Sequence, residues 1–305
     1  MTNRRAAAAS GGVAIALLAL AAWAWPGFLR ASRPHGALIF QGQTDSGYRL
    51  FTLGVAGRAS RLLPVPLDRS LAAPRYAPDG ESIAFVADDA TGKEDLYVAR
   101  ADGSDPRALA PSPGEPEGGP SWSPDSRTIV FSSHRDGNWE IYSVGVDGMA
   151  LRRLTNDPGF DGGPVFSPDG KTIAFSADRG GTAGDSHIYV MGTDGSAVRK
   201  MTNGEDESAP DFSPDGRRLA FVGFTGGNAD IWVGDADGSH AKRITSGSAF
   251  DYDPRWSPDG DWIAFERTQS KFPEVFLMRP DGTGLRQLTH TRVYAGAPSW
   301  RPGPH

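Results

Sequence analysis

The sequence predicts an all-β chain folded as a six-bladed β-propeller of four-stranded antiparallel blades, with a C-terminal strand completing the first blade. Three observations predict it. One phrase recurs six times: Pro74-Arg75-Tyr76-Ala77-Pro78-Asp79-Gly80, then copies led by Pro120, Pro164, Pro210 and Pro254, and a shortened copy, Pro298-Ser299-Trp300-Arg301-Pro302-Gly303. The copies lie 46, 44, 46, 44 and 44 residues apart. Each interval holds short apolar runs punctuated by turn residues, which is how propeller blades are written in sequence.

The interval from Pro164 shows each element. Val165-Phe166-Ser167 is a short extended run, and Ser167-Pro168-Asp169-Gly170 is a turn in which Pro fixes φ and Gly accepts a positive φ. Lys171 to Ser176 alternates apolar and polar residues and reads as a second strand. His187 to Met191 reads as a third, Asp194-Gly195 as a hairpin turn, and Val198 to Thr202 as a fourth. The same slots recur as Ile129-Val130-Phe131, Ile141-Tyr142-Ser143, Asp147-Gly148 and Leu154-Thr155 in the interval before it. At the N-terminal end, Leu38-Ile39-Phe40, Tyr48 to Phe51 and Arg61-Leu62-Leu63 fill the second, third and fourth slots. Ala297 to Trp300 supplies the missing innermost strand. Joining the two ends makes six blades and removes two open sheet edges.

The chain divides into residues 1–34, expected to be a signal peptide or membrane anchor, and residues 35–305, the propeller. Arg4-Arg5 precede an uncharged stretch, Ala6 to Leu29, long enough to span a bilayer, with Trp23 and Trp25 near its end. If it is not cleaved, residues 6–29 tie the protein to the membrane. Either fate places the propeller outside the cytoplasm, on the periplasmic or cell-surface side. The first 34 residues hold four arginines and no acid, so the remainder carries 27 basic against 37 acidic residues, a net charge of −10. That balance excludes a nucleic-acid partner, which needs a basic surface. The chain has no Cys, which excludes disulfides, thiolate metal sites and a thiol nucleophile.

The pattern P-x-[WF]-S-P-D-G, then I-A-F, I-Y-V, D-G and R-L-T, resembles the TolB-like six-bladed propellers, whose repeat is also described as WD40-like or PD40. The resemblance covers about 270 residues. It implies an envelope protein that binds other proteins. The family's namesake carries an α/β domain ahead of its propeller. Here an export segment precedes Leu38, so the expectation is a TolB-like protein without that domain. Similar repeats occur in prolyl-oligopeptidase-type peptidases, but the G-x-S-x-G nucleophile turn of their hydrolase domain is absent from this sequence.

Three residues ahead of each repeat's leading Pro stand Leu71, Glu117, Asp161, Glu207, Asp251 and Ala295. Four of the six are acidic. On the loop entering each blade they would form a partial acidic ring at one tunnel mouth, suited to a basic peptide or, through hard oxygen ligands, to Ca²⁺. Otherwise no cofactor is expected. Turn capping explains the same acids equally well. The loop His134-Arg135-Asp136-Gly137-Asn138-Trp139 faces the same mouth, and His134, Arg135 and Trp139 are its recognition candidates; Phe224 and Lys271-Phe272 lie in equivalent loops. The six His residues share no repeat slot, which argues against a His-based metal enzyme. The repeated Asp of the S-P-D-G phrase is a turn residue, and Trp122, Phe166, Phe212, Trp256 and Trp300 are packing residues.

The expected function is therefore a non-catalytic, monomeric envelope scaffold that engages a protein or peptide at one mouth. The alternatives are a tunnel-mouth hydrolase or lyase acting on a sugar or small ester, and a sensor or accessory subunit of a separate enzyme or transporter.

Overall fold

The computed structural model describes residues 34–303 except Arg58, Asp89, Ala90, Pro113 and residues 180–184. The expected leader or anchor falls on residues outside the described ones. Among the described residues no helix is long and apolar enough to cross a membrane.

Twenty-four strands of the described residues form six four-stranded antiparallel sheets. Blade one joins β1 (Ala37–Thr44), β2 (Gly47–Gly54) and β3 (Arg61–Leu62) to the last strand of the chain. Blade two is β4 (Leu71–Tyr76), β5 (Ser82–Asp88), β6 (Glu94–Arg100) and β7 (Arg107–Ala108). Blade three is β8 (Glu117–Trp122), β9 (Thr128–Ser133), β10 (Glu140–Gly145) and β11 (Arg152–Arg153). Blade four is β12 (Asp161–Phe166), β13 (Thr172–Ala177), β14 (His187–Gly192) and β15 (Arg199–Lys200). Blade five is β16 (Glu207–Phe212), β17 (Arg218–Thr225), β18 (Asn228–Asp235) and β19 (Lys242–Arg243). Blade six is β20 (Phe250–Trp256), β21 (Ile263–Thr268), β22 (Glu274–Met278) and β23 (Arg286–Gln287), and β24 (Ala295–Trp300) returns to pair with β1. The expected closure of blade one by a C-terminal strand is what the structure has. Each inner strand touches those of both neighbouring blades, so the inner strands ring a central tunnel.

The core lies between blades. Phe40, Phe85, Phe131, Phe175, Phe221 and Phe265 fill the same second-strand slot and are fully buried. Inner-strand aromatics cross the seams: Trp122 packs on Ala84, Leu96 and Val98 of blade two, and Trp256 on Ala220 and Val222 of blade five.

Two features differ from the sequence reading. Inner strands begin at the acidic slot, four residues earlier than Val165 suggests. Proline cannot donate to a ladder, yet each inner strand continues through it by a bulge whose left-handed residue stands directly before the Pro. Those residues are Ala73, Gly119, Gly163, Ala209, Asp253 and Ala297, with φ between 48° and 58°. Outer strands, in turn, pair over two residues rather than five, because a side chain takes over from the backbone. Thr155 Oγ1 accepts the Ile141 amide at 2.9 Å and donates to Glu140 at 2.5 Å. Thr245 with Asp230 and Thr289 with Glu274 repeat the device. This gives the R-L-T ending its physical meaning.

Candidate functional site at the upper mouth

Inner strands start, and second strands turn into third strands, at one end of the tunnel, here called the upper mouth. The predicted acids all lie there, within strands rather than on loops. Glu117, Asp161 and Asp251 are fully buried and Glu207 nearly so. Three of them are clasped by an arginine from the end of the adjacent second strand or just beyond it. Arg267 binds Asp251 through two parallel bonds of 2.6 and 2.7 Å. Arg179 binds Asp161 likewise at 3.0 and 2.5 Å. Arg135 donates to Glu117, whose other oxygen accepts the Leu96 amide at 2.7 Å. Each guanidinium also lies over two rings of its own blade: Phe131 and Tyr142, Phe175 and Tyr189, Phe265 and Phe276.

Glu207 instead meets His187 Nδ1 at 3.3 Å. Blade five has no arginine at either position: Gly223 stands across from Glu207 as Arg267 does from Asp251, with the Trp232 indole where its side chain would be, and Thr225 stands at the position of Arg135 and Arg179. The acids are thus spent on internal contacts and do not form an open ring of free carboxylates. Among the described residues no group of three or more His, Asp or Glu side chains is placed to hold a metal ion. Burial pushes Glu117 up to about 7 and Asp161 up to about 6, against the opposing pull of their arginines.

The loop candidates sit beside these clasps. His134 Nδ1 lies 2.9 Å from Glu115 Oε2, and its ring meets Trp139 edge-on at 5.9 Å. Trp139 is half-buried, and its carbonyl accepts the Asp161 amide at 3.0 Å. Phe224 tilts against Tyr252 at 6.3 Å, and the Lys271 ammonium lies over Phe272.

Sequence reasoning missed the neighbouring rim. In three blades the residue directly before the acidic slot is aromatic: Phe160 before Asp161, Phe250 before Asp251 and Tyr294 before Ala295. Successive strand residues face opposite ways, so burying Asp251 turns Phe250 outward. Phe160 and Phe250 are each 39% exposed, and Phe250 stacks on Tyr252 at 6.5 Å. The dipeptides Phe160-Asp161 and Phe250-Asp251 were the available signal. Glu266 was also missed. It is buried and pushed up to about 7, first by desolvation and then by Asp253, while Oε2 accepts the Tyr294 hydroxyl at 2.7 Å and the Ala297 amide at 3.3 Å.

The chain matches the family model described as the TolB beta propeller domain, PD40, over residues 43–208 and 204–304. It is 34% identical over 98 residues to a protein named uncharacterized peptidase YuxL of Bacillus subtilis, covering 29% of this chain and 14% of that one. It is 35% identical over 82 residues to the Tol-Pal system protein TolB of Legionella pneumophila, covering 26% of this chain and 19% of that one. The aligned stretches therefore span less than a fifth of either relative. In fold, the chain superposes on TolB from Acinetobacter baumannii with a TM-score of 0.77 at 23% identity, over 88% of this chain and 67% of that one.

Proposed function

The chain belongs to the TolB β-propeller family, and on that premise we propose that it is a non-catalytic scaffold of the cell envelope, engaging a protein or peptide partner at its upper mouth. The carrying observation is the pair Phe160 and Phe250, large apolar side chains held partly in solvent at equivalent positions on the tunnel rim. Exposed aromatics on a rigid support are what binding hot spots are made of. Glu117, Asp161, Glu207 and Asp251 serve this surface from beneath by fixing Arg135, Arg179, His187 and Arg267. His134 and Trp139 extend it outward. The net charge of −10 beyond residue 34 favours a partner with a basic face and disfavours nucleic acid. The Tol-Pal name of a relative and the apolar segment 6–29 support a location outside the cytoplasm; the propeller is proposed to act there as a monomer.

The test is capture of partners from detergent-solubilised envelope by the full chain and by a Phe160→Ala, Phe250→Ala double variant of equal thermal stability. Loss of a captured protein in the variant supports the reading. Equal capture by both, or capture of nothing by the wild type, overturns it.

A further inference from the structure

The central tunnel encloses a cavity of about 550 Å³, reaching from Phe160 at the upper mouth to Pro78, Pro258 and Pro302 at the lower. Arg75 of β4 and Arg255 of β20 line it. They occupy one repeat slot, directly after the leading Pro, in the two blades flanking blade one. In three other blades this slot performs a structural task. Ser121 Oγ, Asp211 Oδ2 and Ser299 Oγ accept the amides of Phe166, Trp256 and Tyr76 in the next blade, at 3.4, 2.7 and 3.1 Å. A guanidinium has no acceptor and cannot do this. The two arginine side chains therefore do not supply that tie, and it is the Arg75 and Arg255 carbonyls that meet the next blade, accepting the indole N–H groups of Trp122 and Trp300 at 3.1 and 3.0 Å.

Their own bonding is sparse. Among the described residues the Arg75 guanidinium makes one hydrogen bond, to the carbonyl of its neighbour Pro74 at 2.9 Å, and no carboxylate lies within 4 Å of it. Arg255 bonds the Pro254 carbonyl at 2.9 Å and sits 3.8 Å from Asp253, while its buried Nε has no partner. Arg75 contrasts directly with Arg135, Arg179 and Arg267, each of which hydrogen-bonds a carboxylate, and Arg255 has only the longer contact to Asp253. Burial and then the charge of Arg255 lower the Arg75 pKa to about 9, against the opposing pull of Asp253 and Asp211.

The geometry points to a binding site for a small apolar carboxylic acid inside the tunnel, its carboxylate held by Arg75 and Arg255. Forked N–H donors match a carboxylate in shape and charge. Asp211 and Asp253 share the lining, so a doubly charged phosphate meets repulsion that a single carboxylate meets less. Val165, Trp256 and Trp300 supply apolar wall for the tail, and the cavity has the size of small-molecule pockets. Phe160 of the rim lines the upper end of this cavity, but the arginine pair is a distinct set of residues from the rim aromatics, and the site stands whether or not a protein binds at the rim.

The probe is hexanoate, with hexanamide as its uncharged counterpart, titrated at constant ionic strength into the full chain in detergent and followed by tryptophan fluorescence. Hexanoate is expected to saturate with a dissociation constant on the order of 1 mM, as suits eight heavy atoms, and hexanamide to give no saturable signal. Arg75→Gln and Arg255→Gln should each weaken hexanoate about tenfold or more. Identical curves for acid and amide, no saturation by hexanoate, or an unchanged affinity in folded Arg75→Gln would overturn the site. Should Arg75→Gln lose its near-UV circular dichroism, the acid–amide contrast in the wild type decides alone.

Discussion

The two ends of the propeller are built on opposite plans. At the lower end four of the five full repeats solve the same problem in the same way. In the Ser-Pro-Asp turns, the Asp oxygen accepts the Ser hydroxyl and a backbone amide two residues on, while the Ser oxygen accepts a further amide, all between 2.5 and 3.1 Å. The Asp-Gly hairpins of the same end press onto the preceding blade. A Cβ on Gly195, Gly238 or Gly282 would lie 2.5 Å from the carbonyl oxygen of Leu154, Met201 or Ile244. At the upper end the blades follow different plans: acid–arginine clasps in blades three, four and six, a His–Glu contact between blades four and five, Phe51 over Gly42 in blade one and Trp232 over Gly223 in blade five. Uniformity marks the end that assembles blades. Variation falls at the end that carries the proposed recognition surface.

The comparison breaks first, and by the largest margin, at a clasp. Asp251→Ala leaves Arg267 charged, buried and unpaired, and should destabilise the propeller by about 3–5 kcal/mol in urea unfolding. The Asp251→Leu, Arg267→Met double variant should recover most of that loss, because what costs is the orphaned charge. If the single variant is neutral, the clasps are not structural and the upper end needs another account.

Glu266 sharpens the comparison through pH. Its folded pKa, about 7, stands above the ordinary 4.5. The folded chain therefore binds a proton that the unfolded chain releases, so this group's contribution is present below about pH 4.5 and is lost as pH rises through about 7. The loss approaches about 3 kcal/mol at the full shift. Glu266→Gln, which keeps an oxygen for Tyr294 and Ala297, should flatten stability between pH 5 and 8 and leave the variant more stable than wild type at pH 8. An unchanged pH profile would refute the assignment. The lower-end turn acids Asp125, Asp169 and Asp215 are shifted the other way, lowered by their Ser partners.

How much was legible follows the same division. The lower end could be read because its chemistry is local: Pro, Asp and Gly dictate a turn within four residues, whatever surrounds them. Blade number, strand slots and the closure between β1 and β24 followed from that punctuation. The upper end could be read only in part. The acids stood out by register, but their arginines sit 16 or 18 residues onward, and nothing local says that Arg267 folds back on Asp251 while Thr225 does not reach Glu207. The bulge before each Pro, which shifts the in–out alternation of Phe250 and Asp251 relative to the residues after the Pro, was likewise invisible, because Ala73, Ala209 and Ala297 carry no sequence mark of a positive φ.

At the lower end, Ser213→Ala should cost about 1 kcal/mol, the usual worth of a buried hydroxyl's hydrogen bonds, with partner capture and hexanoate binding unchanged. Blade two sets that limit. Its turn has Ala77 in the Ser position, and Asp79 still accepts the Glu81 amide at 2.9 Å. A loss of binding in Ser213→Ala would contradict the division of labour between the two ends.

The smallest effect is at Ser126, where the repeat departs from its own rule. Gly80, Gly170, Gly216 and Gly260 close the other turns with φ near 70°, and Ser126 is forced to 60° in their place. A left-handed conformation costs an ordinary residue about 1–2 kcal/mol. Ser126→Gly removes that strain, at the expense of glycine's greater freedom in the unfolded chain and of the contact in which Ser126 Oγ accepts the Asp79 amide at 3.1 Å. The balance should favour the variant by a few tenths of a kcal/mol, a rise of about 1 °C in melting temperature. A clear destabilisation would mean that the Ser126–Asp79 bridge between blades two and three outweighs backbone strain, and that even the uniform end holds a seam fixed by a side chain found in one repeat alone.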